Sequence, residues 1–221
     1  ASQTSSTRGG GDPPDSLMGP TLSVAAPSAW TARAVGDRVF VMTTSHTGLA
    51  RYLENKAAAI RATAAQRPVG ADHREPIAAR CVADDLTGVR KLRIRDWSLV
   101  SDSGPGIGGW GLGPSSPELL CGVVSTCLVH TYLICAANRG VPLDRVDVEV
   151  TASNNDARFY GVATDDPPTP FGFRATVRLT APDATAEQVA GLHAYADESC
   201  PVMNVLRNPV EIELVVAPPG S

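Results

Sequence analysis

Two cysteines define the chemistry open to this chain. Cys127 stands at the centre of "GPSSPELLCGVVSTCLVHTYLICAANRG", residues 113–140, with no charged residue between Glu118 and Arg139. Cys200 opens "CPVMNVLRN" near the C-terminus. A thiol in an apolar segment has three explanations: packing, a membrane span, or a reactive centre that needs a partner. The thiolate is the nucleophile, and burial alone raises a thiol pKa, so a reactive Cys127 requires a cation to offset its desolvation. His130 follows one helical turn later on the same face. There it either tunes the thiol or donates to a substrate, or it packs as a core histidine.

The remaining cysteines, Cys81, Cys121 and Cys135, read as packing residues. An odd total of five at irregular spacing does not describe a secreted disulfide scaffold. No CxxC pair occurs, which excludes a zinc ribbon or a thioredoxin-type motif, and the spacing of Cys127, His130 and Cys200 does not make a metal site.

The elements that must position these residues are legible as patterns. Ser116 reads as an N-cap, with Pro117 at the first helical position and Glu118 in the first turn. The helix then runs to Asn138 or Arg139 and closes at Gly140. About twenty uncharged residues nominally span a bilayer. Ser125, Thr126, His130, Thr131 and Asn138 interrupt the run, and the flanking chain alternates strands with amphipathic helices. The reading is therefore a central core helix, apolar all round. One small sheet covers one side of it, and a second copy of the chain is expected on the other.

Before it, Thr47–Gln66 has helix composition with Leu49, Leu53 and Ile60 on one stripe. Ile77–Asp84 and Arg90–Asp102 read as an antiparallel hairpin, in which Leu92 and Ile94 alternate with Lys91, Arg93 and Arg95. Trp97 falls on the charged face, so a bulge or a change of environment is expected after Asp96. "SGPGIGGWGLGPSS" is a glycine-rich loop without the GKS or GKT of a phosphate-binding loop. After the core helix come strands at Val146–Val150 and Phe173–Pro182, a helix over Ala184–Ser199, a short helix from Cys200–Pro201, and a closing strand over Val210–Val216.

With 221 residues, 43% of them hydrophobic, the chain can bury a sizeable core. A formal net charge of -4 argues against a nucleic-acid binder. Residues 1–22, rich in Ser, Thr, Gly and Pro, read as a disordered tail. Residues 23–75 form an N-terminal extension with a possible short strand at Arg38–Met42 and the helix at about 47–66, and residues 76–216 form the main domain. No basic start precedes an apolar run, so no signal peptide is expected and the cytoplasm is the expected compartment.

"GPSSPELLCGVVSTCL", then "GVPLDRVDVEV", then "ESCPVMNVLRNPVEIEL" together resemble the OsmC/Ohr family of thiol peroxidases, over about residues 76–216. In that family the first cysteine lies mid-helix after an NP-x-E-L-like opening, and the second lies in a C-P-[VIY]-x-N-x-[LT]-R-N-like motif. The resemblance implies an α+β OsmC-like fold: antiparallel sheets around a long cysteine-bearing helix, in an intertwined homodimer. It implies that Cys127 is the peroxidatic cysteine, Cys200 the resolving one, and an arginine the stabiliser of the thiolate. Arg90 is the candidate, because it follows "TGV" where relatives carry Gly-Gly-Arg or Gly-Leu-Arg.

One departure stands out. In the well-defined hydroperoxidase branches a glutamate ten residues before the cysteine orients the arginine. Here that position is Pro117, and Glu118 lies nine before Cys127, as in a broader OsmC-like branch. Nine residues are about 13.5 Å of helix rise, so Glu118 cannot touch Cys127; it either caps the helix or holds an arginine. Arg207 and Asn208 are expected to fix the backbone of the short Cys-Pro helix, and Trp97 and Trp110 either line an apolar substrate pocket or pack in the core.

The leading functional expectation is a cysteine-based peroxidase that reduces organic hydroperoxides through a sulfenic acid and a Cys127–Cys200 disulfide. It would need no bound cofactor and no metal, only an external dithiol reductant of the lipoyl type or another thiol, and neither a nucleic-acid nor a membrane partner. Two alternatives remain: an OsmC-like enzyme using the thiol for other sulfur or acyl chemistry in a biosynthetic pathway, and a non-catalytic dimeric small-molecule binding or redox-sensing module.

Overall fold

The computed structural model describes residues 49–67, 69–70, 72–208 and 210–218. The expected tail over 1–22 and the strand at Arg38–Met42 lie outside the described residues. The chain divides into residues 1–43 and 44–221, and every element below belongs to the second unit.

The long helix α2 (Ser116–Arg139) is the axis of the domain. Its N-cap is Ser115 and not Ser116: the Ser115 hydroxyl accepts from the Glu118 backbone N–H, and the Glu118 carboxylate accepts from the Ser115 backbone N–H at 2.7 Å. This reciprocal capping box puts the carboxylate at N3, so the start slips by one residue relative to the pattern Ser-Pro-Glu. Gly140 ends the helix at φ 63, a left-handed conformation that glycine adopts without a Cβ clash.

Alpha-helix α1 (Leu49–Gln66) lies against α2 through Leu53 and Ala57. The helix expected over Ala184–Ser199 is α3 (Ala186–Ser199), with Thr185 as its N-cap. Cys200 is at once the C-cap of α3 and the N-cap of α4 (Pro201–Arg207). The core gathers Leu128, Tyr132 and Cys135 of α2 with Leu143, Leu192 and Cys200.

Two separate antiparallel sheets accompany the helices. The C-terminal ribbon pairs β4 (Arg145–Ser153) with β5 (Phe171–Thr180), in the register Val146↔Leu179 and Val148↔Val177. Those four residues pack against the α2 core, while Arg145, Asp147, Glu149 and Arg178 form ion pairs on the other side. That is the period-2 division expected of a half-buried ribbon.

The N-terminal sheet departs from the expected two-stranded hairpin. It has three strands, β1 (Arg80–Ala83), β2 (Arg90–Ile94) and β3 (Trp97–Ser101), in the order β1-β2-β3. What reads as one strand over Arg90–Asp102 folds back at Arg95–Asp96, pairing Ile94 with Trp97. Arg95 takes φ 53, a conformation uncommon outside Gly, Asn and Asp. Both faces of this sheet are largely exposed.

The closing strand expected at Val210–Val216 forms no ladder. Its alternation is real, but a strand requires a neighbour, and here Ile212 and Leu214 are each 88% exposed. Helix α2 is long and apolar enough to cross a membrane. It instead packs against α1, β4, α3 and α4, as the central helix of the domain.

Candidate functional site

The α3–α4 joint brings Cys200 to Cys127. Cys200 is fully buried in the core cluster against which the half-buried Cys127 of α2 packs, and the two thiols are close enough to influence each other's ionisation. Both are free thiols.

The joint that presents Cys200 is held at several points. The Asn204 side-chain amide donates to the carbonyls of Glu198, at 2.8 Å, and Cys200, at 3.0 Å. The Arg207 guanidinium donates to the Asp197 carbonyl at 2.9 Å and to its carboxylate at 2.7 Å. Asn208 donates to the Asn204 carbonyl at 2.8 Å. Pro201 at the first helical position has no N–H to leave unpaired. The Asn and Arg of the Cys-Pro motif are thus scaffold groups: they satisfy helix-end carbonyls that the α3–α4 bend would strand.

Around Cys127 the forces oppose one another. Burial pushes its thiol pKa up most, the Val202 backbone N–H at the start of α4 pulls it down, and the neighbouring Cys200 raises it again, since two adjacent thiolates repel. The Thr131 hydroxyl lowers it slightly and also donates to the Cys127 carbonyl at 2.9 Å. The net direction is upward. Val202, Thr131 and Asn204 were not singled out from the sequence. Thr131, at the i+4 position from Cys127, was legible as a helix neighbour; the Val202 amide depends on how the joint bends and was not.

The other expected residues lie elsewhere. Arg90 is not beside Cys127. It sits on the three-stranded sheet, donating to the Ser101 hydroxyl at 3.2 Å and to that of Ser103 at 3.2 Å. Among the described residues it makes no ion pair, although its charge helps lower the pKa of the buried Asp102. Asp102 in turn accepts from the Trp110 and Leu112 backbone N–H groups, at 3.0 and 3.1 Å, and so folds the glycine-rich loop. Trp97 and Trp110 are 64% and 65% exposed, so neither lines a closed pocket nor packs in a core.

Among the described residues Glu118 is held by Ser115 alone, through its hydroxyl and its backbone N–H, and those bonds lower its carboxyl pKa; of the two roles open to it, the structure shows the cap. His130 is exposed and faces α1, with Nε2 3.2 Å from Lys56 Nζ. Partial burial, followed by the Lys56 charge, lowers its pKa. A neutral ring accepting from the ammonium fits that contact.

Residues 108–215 match the family model described as OsmC-like protein. This chain carries an OsmC-like domain. The fold is similar to that of the OsmC-like protein of Mycoplasma pneumoniae, at 14% identity and a TM-score of 0.51, over 60% of this chain and 88% of that one. An organic hydroperoxide resistance protein OsmC from Legionella pneumophila is also similar, at 16% identity and a TM-score of 0.45, over 62% of this chain and 92% of that one. None of the curated proteins matches the sequence. The OsmC-like domain holds both cysteines and the whole α3–α4 joint, and Arg90 precedes the matched segment.

Proposed function

We propose that the protein is a thiol peroxidase acting on organic hydroperoxides, with Cys127 as nucleophile and Cys200 as resolving thiol. The observation that carries the reading is the proximity of these two thiols, 73 residues apart in sequence, at a joint built to hold one of them in place. The Cys127 thiolate attacks the terminal oxygen of R–O–OH. The O–O bond breaks, an S–O bond forms, and the alkoxide leaves as ROH after taking a proton. The Cys200 thiol then attacks the sulfenic sulfur, which releases water and forms the Cys127–Cys200 disulfide. An external dithiol, of the lipoyl type or another, reduces that disulfide and is itself oxidised to a disulfide, so the cycle needs no bound cofactor.

Burial outweighs the Val202 amide and the Thr131 hydroxyl at Cys127, so a reactive thiolate there calls for a cation. Arg90 supplies one from a second copy of the chain in this account. Among the described residues its guanidinium is bound only to hydroxyls, and the sheet that carries it is bare on both faces, as is the alternating segment Val210–Val216. A homodimer that covers these surfaces would also bring Trp97 and Trp110 out of water. The cytoplasm, where dithiol reductants are kept reduced, suits such a cycle.

Steady-state turnover of cumene hydroperoxide with a lipoyl dithiol tests the reading. Turnover is expected from the native chain and none from Cys127→Ser. Equal rates in the two proteins would refute it. Binding of the hydroperoxide that survives loss of both cysteines, with no turnover in any form, would instead support a non-catalytic binding module.

A further inference from the structure

The cycle proposed above leaves one proton without a source: the one that the departing alkoxide takes up. Cys127 attacks as the thiolate and has none to give. The Cys200 thiol loses its proton only in the later step that forms the disulfide. A second pair of groups stands on the Cys127 side of α2.

His130 lies three residues beyond Cys127 on α2. Helix neighbours at that spacing have Cβ atoms about 5–6 Å apart, and helix side chains lean toward the N-terminus, so the His130 ring lies over the turn that carries Cys127. This side of the helix is open. His130, Thr126 and Val123 are exposed, with Cys127 half-buried at their edge. A hydroperoxide that meets the sulfur from this side has its leaving oxygen one bond further out, toward the ring.

Lys56 fixes which ring nitrogen carries the proton. It reaches in from α1, outside the matched residues 108–215. An ammonium has three donors and no acceptor, so Nε2, 3.2 Å from Lys56 Nζ, presents its lone pair. The neutral ring then carries its proton on Nδ1, which has no partner among the described residues. Partial burial, followed by the Lys56 charge, lowers the His130 pKa and favours that neutral ring. Lys56 itself meets the Tyr52 hydroxyl at 3.4 Å and His130, and no carboxylate among the described residues. Its protons are therefore not committed to an ion pair.

We propose that His130 is the catalytic acid of the first half-reaction, resupplied with its proton by Lys56. The Cys127 sulfur bonds the terminal oxygen and keeps its OH as the sulfenic acid. As the O–O bond breaks, the alkoxide takes the Nδ1 proton and leaves as ROH. Nε2 takes a proton from the Lys56 ammonium, so the imidazole stays neutral and Lys56 becomes an amine. An alkylammonium is a far stronger acid than an alcohol, so the paired transfer runs downhill. Water then returns a proton to Lys56, and exchange with water restores the first tautomer. The inference rests on the peroxidase reading and adds the proton source to it.

Rapid-quench mass spectrometry of Cys127 oxidation in the reduced full chain tests it, with cumene hydroperoxide and peracetic acid as oxidants. Cumyl alkoxide needs a proton to leave, whereas acetate does not. Iodoacetamide alkylation reports the thiolate each variant holds, and the rates are normalised to it. His130→Phe should lower the rate with cumene hydroperoxide, relative to peracetic acid, about a hundredfold, the lower end of what a general acid contributes. Lys56→Met gives the same readout from α1 and should lower that ratio about tenfold, since the ring still donates but is not resupplied. Lys56→Arg should restore part of it, because a guanidinium again leaves Nε2 the acceptor. Circular dichroism confirms that each variant is folded. If native Cys127 is oxidised but the ratio is unmoved in folded His130→Phe, whether both rates hold or both fall, the relay is overturned and the peroxidase reading stands. An unmoved ratio in folded Lys56→Met overturns the part assigned to Lys56. No oxidation of native Cys127 by either oxidant removes the peroxidase reading and the relay with it.

Discussion

The reactivity of Cys127 is a contest between desolvation and a handful of dipoles. One amide from Val202 and one hydroxyl from Thr131 do not outweigh burial and the second thiol. If Arg90 completes the site across an interface, Arg90→Ala should raise the Cys127 pKa by about one to three units, the effect of one nearby opposite charge. Each unit costs about tenfold in thiolate when the pKa lies above the working pH. The pH dependence of iodoacetamide alkylation at Cys127 reads this directly. Arg90→Lys should restore part of the shift, whereas a purely structural Arg90 would leave the profile unmoved. That Cys127 and Cys200 belong together was legible only through the family motifs. The location of Arg90 on the three-stranded sheet was not, because sequence order does not say which distant elements meet.

At the scale of elements, the start of α2 is the part most open to test. Ser115→Ala removes the hydroxyl that caps the helix, and a cost of about 1 kcal/mol is expected in chemical denaturation. Glu118 supplies the reciprocal bond as a carboxylate. Its pKa is lowered in the folded state, so its contribution is complete above the ordinary value of 4.5 and is lost as pH falls below it. Glu118→Gln should therefore flatten that part of the acid-denaturation curve while leaving stability at neutral pH little changed, since a glutamine at N3 still completes the box. Seryl, prolyl and glutamyl residues in a row marked this helix start to within one position. The fold-back at Arg95–Asp96 was harder to read. Tight two-residue hairpin loops favour Gly or Asn at positive φ, and here an arginine takes that role, leaving the misplaced Trp97 as the one visible signal.

For the whole molecule, the division of buried and exposed surface points to assembly. Leu143 and Leu192 are completely buried, and truncating either to alanine should cost about 2–5 kcal/mol without touching the cysteines. By contrast, Ile212, Leu214 and both faces of the three-stranded sheet lie open to water. An unpaired strand with this alternation is a template for pairing with another edge. Sedimentation should find a dimer, and Ile212→Asp with Leu214→Asp should shift it toward monomer and reduce peroxidase turnover together. A native chain that sediments as a monomer would remove Arg90 from the mechanism. The alternation over Val210–Val216 was plain in the sequence; the absence of a partner strand among the described residues was not, because register and pairing depend on what else the fold brings alongside.

The most direct measurement is a peptide map of the fully reduced protein after one equivalent of cumene hydroperoxide. The account predicts a Cys127–Cys200 disulfide-linked peptide pair in the native chain, and a trappable sulfenic acid on Cys127 when Cys200 is replaced by serine. Both cysteines remaining as thiols, or oxidation falling on Cys81 or Cys121 instead, would contradict it.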